Sequence, residues 1–166
     1  MDLRLYLGCE FHANMSMVET LINKERPTMA GSDYVLTEFS GATDFAFARE
    51  RVYELVTHGF IPIIAHVERY PNIRKDMGNL ETLREIGAYL QVNAESILGE
   101  EGFATKRFCK KLMKNNMLDF VGTDCHRTNK RIPNLGPCAE YMEKKMGREY
   151  TERILIHNPQ KIIENI

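Results

Sequence analysis

Five side chains able to bind metals or move protons stand at the ends of short apolar segments. They are Glu10, Glu38, His66, Asp124 and His126. The first three are spaced 28 residues apart, and Asn93 follows His66 by 27 residues and precedes Asp124 by 31, which is about one β/α unit each time. One acid or histidine in such a place is usually a solvated or core residue. Their recurrence at successive segment ends favours metal ligands, and carboxylates with imidazoles suit Mn²⁺, Zn²⁺ or Fe²⁺.

Two local spacings extend this prediction. Asp124 and His126 are two residues apart at the end of an apolar run, where an extended chain would point both side chains the same way. Arg69 follows His66 by three residues, so its planar guanidinium is well placed to bind a phosphate with two parallel hydrogen bonds. The alternative interpretation of Arg69 is a surface ion pair with Glu68 or a helix-capping role.

The elements that must position these residues alternate along the chain. β-rich runs predict strands at Arg4–Cys9, Tyr34–Phe39, Ile61–His66, Tyr89–Asn93 and Asp119–Thr123. Apolar residues at helical spacing predict helices at Asp44–His58, Leu80–Ile86, Ala104–Asn116, Leu135–Met146, Arg148–Ile156 and Pro159–Ile166, the last with Asn158 as its N-cap. This alternation predicts an α/β fold with a parallel sheet or barrel, whose sites lie at the carboxyl ends of the strands.

The overall composition argues against nucleic-acid-binding and membrane proteins. The 166 residues contain 22 Lys and Arg against 23 Asp and Glu, which argues against a nucleic-acid binder held by bulk charge. Neither an apolar run of roughly 18 residues nor a signal-peptide pattern occurs, so we expect a single cytoplasmic domain over residues 1–166 with no membrane insertion. The four cysteines form no metal-binding pair, and we expect free thiols.

Four motifs resemble those of the PHP (polymerase and histidinol phosphatase) superfamily. They are the runs Leu7–Glu10, Leu36–Ser40, Ile64–Tyr70 and Gly122–His126, with weaker similarity at Gln91–Asn93 and Asn158–Ile162. The resemblance is closest to the manganese-dependent protein-tyrosine phosphatases of bacterial capsule and exopolysaccharide loci, and it extends in order over nearly the whole chain.

The resemblance implies a distorted (β/α) barrel that holds up to three divalent metals, Mn²⁺ above all. It implies hydrolysis of phosphotyrosine on the tail of a cognate bacterial tyrosine kinase. Carried over residue by residue, the metal ligands are Glu10, Glu38, His66, Asp124 and His126, while Arg69 binds the substrate phosphate and acts in catalysis with Asp124 and His126. Divalent metals lower the pKa of a bound water, which supplies hydroxide as the nucleophile, and they neutralise phosphate oxygens. No protein nucleophile is therefore required.

One element of the family pattern is missing. The family opens with a strand ending in His-x-His, but this chain contains no His-x-His, and His12 lies beyond Glu10 in what we predict to be a loop. We therefore expect a barrel that lacks its first β/α units. Exposed strand edges and apolar faces would then favour self-association, and the metal cluster that activity depends on would be incomplete.

Three alternatives stay open. Cys125 and Arg131 spell C-x5-R, the pattern of cysteine-dependent phosphatases, although no glycine lies between them and Asp124 precedes the thiol. A second alternative is another PHP phosphoesterase, acting on histidinol phosphate or a nucleotide-type substrate. The third is an inactive binding or regulatory remnant that still binds a phosphotyrosine tail through Arg69 and residual metal.

Overall fold

The computed structural model describes residues 4–127 and 133–166, which form two compact units. The first unit comprises the chain up to Ala65 together with residues 70–89 and 160–166. The second comprises residues 66–69 and the chain from Leu90 to Pro159. The single domain expected over residues 1–166 stays a prediction. Within the described part of the chain, no helix has the length and apolar character needed to cross a membrane.

The first unit is built on three parallel strands in chain order. They are β1 (Glu10–His12), β2 (Tyr34–Glu38) and β3 (Ile61–Ile64). Its helices are α1 (Met17–Ile22), α2 (Phe45–Thr57), α3 (Pro71–Arg74) and α4 (Met77–Ile86), with a 3-10 turn at Met29–Gly31. The register aligns His12 with Glu38 and Thr37 with Ile64, so the carboxyl ends of all three strands lie at one edge.

Helix caps explain where α2 and α4 begin. The Asp44 side chain accepts a hydrogen bond from the Phe47 N–H at 2.8 Å, and α2 then buries Val52 and Leu55 completely. The Asp76 carboxylate accepts the Gly78 N–H at 2.9 Å. Helix α4 therefore begins at Met77, three residues before the predicted start at Leu80. Its predicted end at Ile86 and the predicted helix at α2 are confirmed.

The second unit pairs β4 (Tyr89–Asn93) with β5 (Phe120–Gly122), also in parallel. Its helices are α5 (Ala94–Leu98), α6 (Phe103–Lys114), α7 (Leu135–Met146), α8 (Arg148–Glu152) and the start of α9 (Asn158–Glu164), with a 3-10 turn at Val67–Arg69. The side chains of Leu90, Val92, Leu112, Leu118 and Ile154 are fully buried. The predicted bounds of β4 and α7 are confirmed, and β5 is shorter than predicted.

The predicted strand at Arg4–Cys9 is wrong, and the first strand is Glu10–His12 instead. Leu36–Glu38 of β2 pair with Glu10–His12, whereas Leu5 and Leu7 are 86% and 74% exposed. An extended segment becomes a strand only where a neighbour supplies backbone hydrogen bonds, and an apolar pattern cannot reveal that neighbour.

The predicted cap at Asn158 is also wrong. Helical backbone runs from Arg148 to Glu164 through a π turn at Arg153–His157, so Asn158 lies inside it. The Asn158 side chain instead donates to the Asp119 carbonyl oxygen at 2.8 Å. Proline lacks an N–H and crowds the preceding turn, and the wider π turn directly before Pro159 relieves that crowding.

Candidate metal centre and arginine cluster

His12 and Glu38 lie at the carboxyl ends of the first two strands, whereas Glu10 is the first residue of β1 and not at a strand end as expected. We call these three residues the acidic edge. Glu10 and His12 are exposed while Phe11 between them is buried, as the alternation of a strand requires. His12 Nδ1 lies 3.5 Å from Glu38 Oε2. The prediction that His12 belongs to a loop is therefore wrong, and His12 joins the candidate site residues.

His66 follows the third strand and has an unusual backbone. The Ala65 N–H donates to the Thr37 carbonyl oxygen at 2.9 Å. The backbone pairing with β2 therefore continues one residue beyond β3, to the residue directly before His66. His66 is 5% exposed, and its φ of 31° is a conformation that residues other than glycine rarely adopt. The Gln91 side-chain oxygen accepts the His66 N–H at 2.7 Å and holds this backbone. Such conformations concentrate at functional sites.

Asp124 also has a positive φ, of 48°. Its Oδ2 accepts hydrogen bonds from Arg69 Nη1 at 2.7 Å and from Asn93 Nδ2 at 3.2 Å. His126 Nδ1 lies 2.8 Å from the Asp124 carbonyl oxygen and 3.3 Å from Asp124 Oδ1. Strand β5 ends at Gly122, so strand alternation does not align the pair as expected. A local contact brings the His126 ring to Asp124 instead.

Arg69 lies among three carboxylates, and we call Arg69, Glu95, Glu101 and Asp124 the arginine cluster. Besides the Asp124 contact, Arg69 Nη2 donates to Glu95 Oε1 at 2.9 Å and to Glu101 Oε1 at 2.7 Å. The Arg69 side chain is 25% exposed. The alternative pairing with Glu68 is wrong, since Glu68 Oε1 accepts the Asn93 N–H at 2.9 Å and the Ser96 hydroxyl at 2.8 Å.

Arg69 and Glu101 of the arginine cluster each favour the ionised form. Burial alone lowers the pKa of Arg69, but the hydrogen bonds that Arg69 donates to Glu101 and Asp124, and the charges of these two carboxylates, outweigh it, so the pKa lies above its ordinary value. Burial alone raises the pKa of Glu101, but the hydrogen bond and charge of Arg69 outweigh it and the pKa falls. Arg69 therefore remains a cation throughout the physiological pH range.

Buried polar residues connect His66 to the arginine cluster. Gln91 Nε2 donates to Asn93 Oδ1 at 3.0 Å, and the Ser96 hydroxyl lies 3.1 Å from Glu101 Oε2. Glu68 is 1% exposed, and burial raises its pKa despite the Asn93 and Ser96 hydrogen bonds. A Cβ at Gly122 would lie 2.6 Å from Gln91 Nε2, so this close approach requires glycine.

Sequence reasoning missed the partners of Arg69. Glu95 lies in the first turn of the short helix α5, where acidic residues are ordinary, and Glu101 follows that helix. The only available signal was that a partly buried guanidinium needs carboxylates. For the cysteine alternative, Cys125 is exposed and Arg131 lies outside the described residues.

Comparison with known proteins decides the family. Residues 1–164 match the family model for capsular polysaccharide synthesis, CpsB/CapC. The chain belongs to the CpsB/CapC family. The family predicted from the motifs is thereby confirmed.

Individual relatives agree. The chain is 29% identical to tyrosine-protein phosphatase CpsB of Streptococcus pneumoniae over 98% of its own length and 69% of that protein. It is 34% identical to the putative tyrosine-protein phosphatase CapC of Staphylococcus aureus over 79% of the chain and 51% of that protein.

Among solved structures, the chain is similar to one from a study of YwqE from Bacillus subtilis and CpsB from Streptococcus pneumoniae, described as unique metal-dependent tyrosine phosphatases. The TM-score is 0.91 at 28% identity, over 98% of this chain and 66% of the other. This similarity confirms the predicted α/β fold. The chain spans about two thirds of the length of CpsB and of the solved structure, and about half of the length of CapC.

Proposed function

We propose that this chain is a metal-dependent protein-tyrosine phosphatase. The observation that carries the proposal is the position of Arg69, a permanently charged guanidinium bonded to Asp124 within a buried polar network. Family membership and the tyrosine phosphatases among its relatives support the same activity.

We propose that the metal ligands are Glu10, Glu38, His66, Asp124 and His126, and that Mn²⁺ is the native ion. Glu10, Glu38 and His66 can each offer one ligand atom, and carboxylates with imidazole form a donor set that suits this ion. The strained backbones of His66 and Asp124 also fit functional positions. When bound, divalent ions supply positive charge that polarises a phosphate ester and acidifies water.

Arg69 would bind the phosphate oxygens through its two terminal nitrogens. Nη2 already donates both of its hydrogens, to Glu95 and Glu101, so a phosphate that binds through both terminal nitrogens must replace one of these two carboxylates. Glu101 is the best candidate to give way, because its side chain is 29% exposed against 13% for Glu95 and 12% for Asp124. Asp124 would then hold the guanidinium in place while Arg69 stabilises charge on the phosphate in the transition state.

The proposed substrate is phosphotyrosine on the tail of a bacterial tyrosine kinase that regulates capsule or exopolysaccharide synthesis. The tyrosine phosphatases and the capsule-synthesis family among the comparisons support this choice. Histidinol phosphate is the competing substrate within the same superfamily.

The test is hydrolysis of a phosphotyrosine peptide with added Mn²⁺, with and without a chelator, and after thiol alkylation. We expect activity that the chelator abolishes and alkylation spares, with phosphotyrosine preferred over histidinol phosphate. Loss of activity on alkylation, checked with Cys125→Ser, would replace this mechanism with the cysteine-dependent one. Peptide binding without turnover at saturating Mn²⁺ would leave a phosphotyrosine-binding protein in place of an enzyme.

A further inference from the structure

Helix α6 concentrates positive charge on one exposed face. Five of the chain's 22 Lys and Arg residues lie on this helix, and none of its 23 Asp and Glu residues does. Cys109, Leu112 and Met113 are buried, which fixes the orientation of the helix. Arg107, Lys110 and Lys114 recur at spacings of three and four, lie on the opposite face and are all exposed. We call these three residues the basic stripe.

Helix stability does not account for the whole stripe. Cations in the last turn of a helix interact favourably with its dipole, which explains Lys111 and Lys114. Arg107 and Lys110 lie before that turn. Within the described residues, Arg107, Lys110 and Lys114 form no salt bridge, whereas Lys106 donates to the Leu98 carbonyl oxygen at 2.8 Å and lies over the Tyr141 ring. The stripe thus presents uncompensated charge to solvent.

The helix that carries the basic stripe begins close to the arginine cluster in the chain. Glu101, which accepts from Arg69 Nη2 at 2.7 Å, precedes the first residue of α6 by only two positions. From there α6 extends over 12 residues, or about 18 Å at 1.5 Å per residue. An extended peptide covers that distance in about five residues at 3.3 Å each. A peptide whose phosphate lies on Arg69 can therefore place its flanking residues along α6.

We propose that the basic stripe is a docking surface for acidic residues that flank the phosphotyrosine, so that the preferred substrates are acidic phosphopeptides. This inference rests on the proposed function and specifies its substrate class. Charge complementarity carries it, because three exposed cations on the helix that follows Glu101 attract carboxylates or further phosphates on the same peptide. Arg69 would select the phosphate, and the stripe would select the sequence around it.

The test compares the binding of two peptides to the full chain with Mn²⁺. Both carry a phosphonate analogue of phosphotyrosine that cannot be hydrolysed, one flanked by Asp and Glu and the other by Ser. We expect the chain to bind the acidic peptide about tenfold more tightly, and we expect 0.5 M salt to remove most of that preference.

The decisive variant is Arg107→Gln/Lys110→Gln/Lys114→Gln. It should lose the preference while binding the serine-flanked peptide as the parent chain does. The matched control, Lys144→Gln/Lys145→Gln, removes two exposed cations from α7 and should keep the preference for the acidic peptide. Lys110→Gln alone should lower the preference about twofold, which covers the possibility that the triple variant folds poorly.

The two proposals fail in different ways. Retention of the tenfold preference by the folded triple variant would overturn the docking surface and leave the phosphatase proposal intact. Binding of both peptides that survives Arg69→Ala would overturn the role of Arg69 in phosphate binding. If the parent chain binds neither peptide, the proposed function fails and the docking surface falls with it.

Discussion

The acidic edge and the arginine cluster carry similar residues in opposite environments. His12 and Glu38 are 60% and 38% exposed and meet at 3.5 Å. Asp124 and Glu95 are 12% and 13% exposed, and each accepts from Arg69 within 2.9 Å. Exposed pairs add little to stability, whereas breaking a buried pair is costly. We therefore expect substitutions at the acidic edge to leave the free energy of unfolding almost unchanged, and substitutions at the buried members of the arginine cluster to lower it.

The largest effect should come from Arg69→Ala. Removing one preorganised donor to a developing negative charge typically costs about 10²–10³ in turnover. We expect a loss of that size in phosphotyrosine hydrolysis, with metal content measured by mass spectrometry unchanged. Arg148→Ala, which removes an arginine that is 78% exposed, is the control and should leave both quantities unchanged. A parallel fall in metal content would make Arg69 a structural residue.

At the acidic edge, Glu38→Gln should weaken Mn²⁺ binding by at least about tenfold, because a neutral amide is a poorer ligand than a carboxylate. The free energy of unfolding without metal should change by less than about 0.5 kcal/mol, as for other exposed sites. Calorimetric titration and urea denaturation measure the two quantities, with the exposed Glu81→Gln as control. A large loss of stability with unchanged metal affinity would erase the distinction between the two regions.

Gly122→Ala tests the buried polar residues that connect His66 to the arginine cluster. Its Cβ would lie 2.6 Å from Gln91 Nε2, and Gln91 cannot move without releasing the His66 N–H. We expect a loss of about 1–2 kcal/mol in the free energy of unfolding, as for other overpacked sites. Gly136→Ala, where a Cβ meets nothing within 4 Å, should be neutral or slightly stabilising. Equal stability of the two variants would show that the Gln91 network tolerates displacement.

The smallest effect should come from Glu101→Gln, the partner of Arg69 at the rim. Because the folded-state pKa of Glu101 lies below its ordinary value of 4.5, its stabilising effect is present above that pH and is lost on acidification. At pH 7 we expect the variant to be about 0.5 kcal/mol less stable than the parent chain. Urea denaturation at about pH 3.5 should show a smaller difference. If the stability difference between the variant and the parent chain grew at acidic pH, the pKa of Glu101 would be raised in the folded state and not lowered.

Local patterns in the chain determined most of the elements and the residue types of the site. Asp44 and Gly59 delimit α2 as predicted because caps and terminal glycines act within one helical turn. The run of β/α intervals correctly placed Glu38 and His66 at the ends of parallel strands. Such features depend on neighbours in sequence, so the sequence alone can reveal them.

Long-range contacts were decided only by the tertiary structure. His12 belongs to a strand because it pairs with β2. Arg69 donates a hydrogen bond to Asp124, which lies 55 residues away in the chain. The positive φ of His66 likewise depends on the Gln91 side chain, 25 residues away. Backbone pairing and buried ion pairs form between segments that only the folded chain brings together, and residue spacing carries no record of which partner each polar group will find.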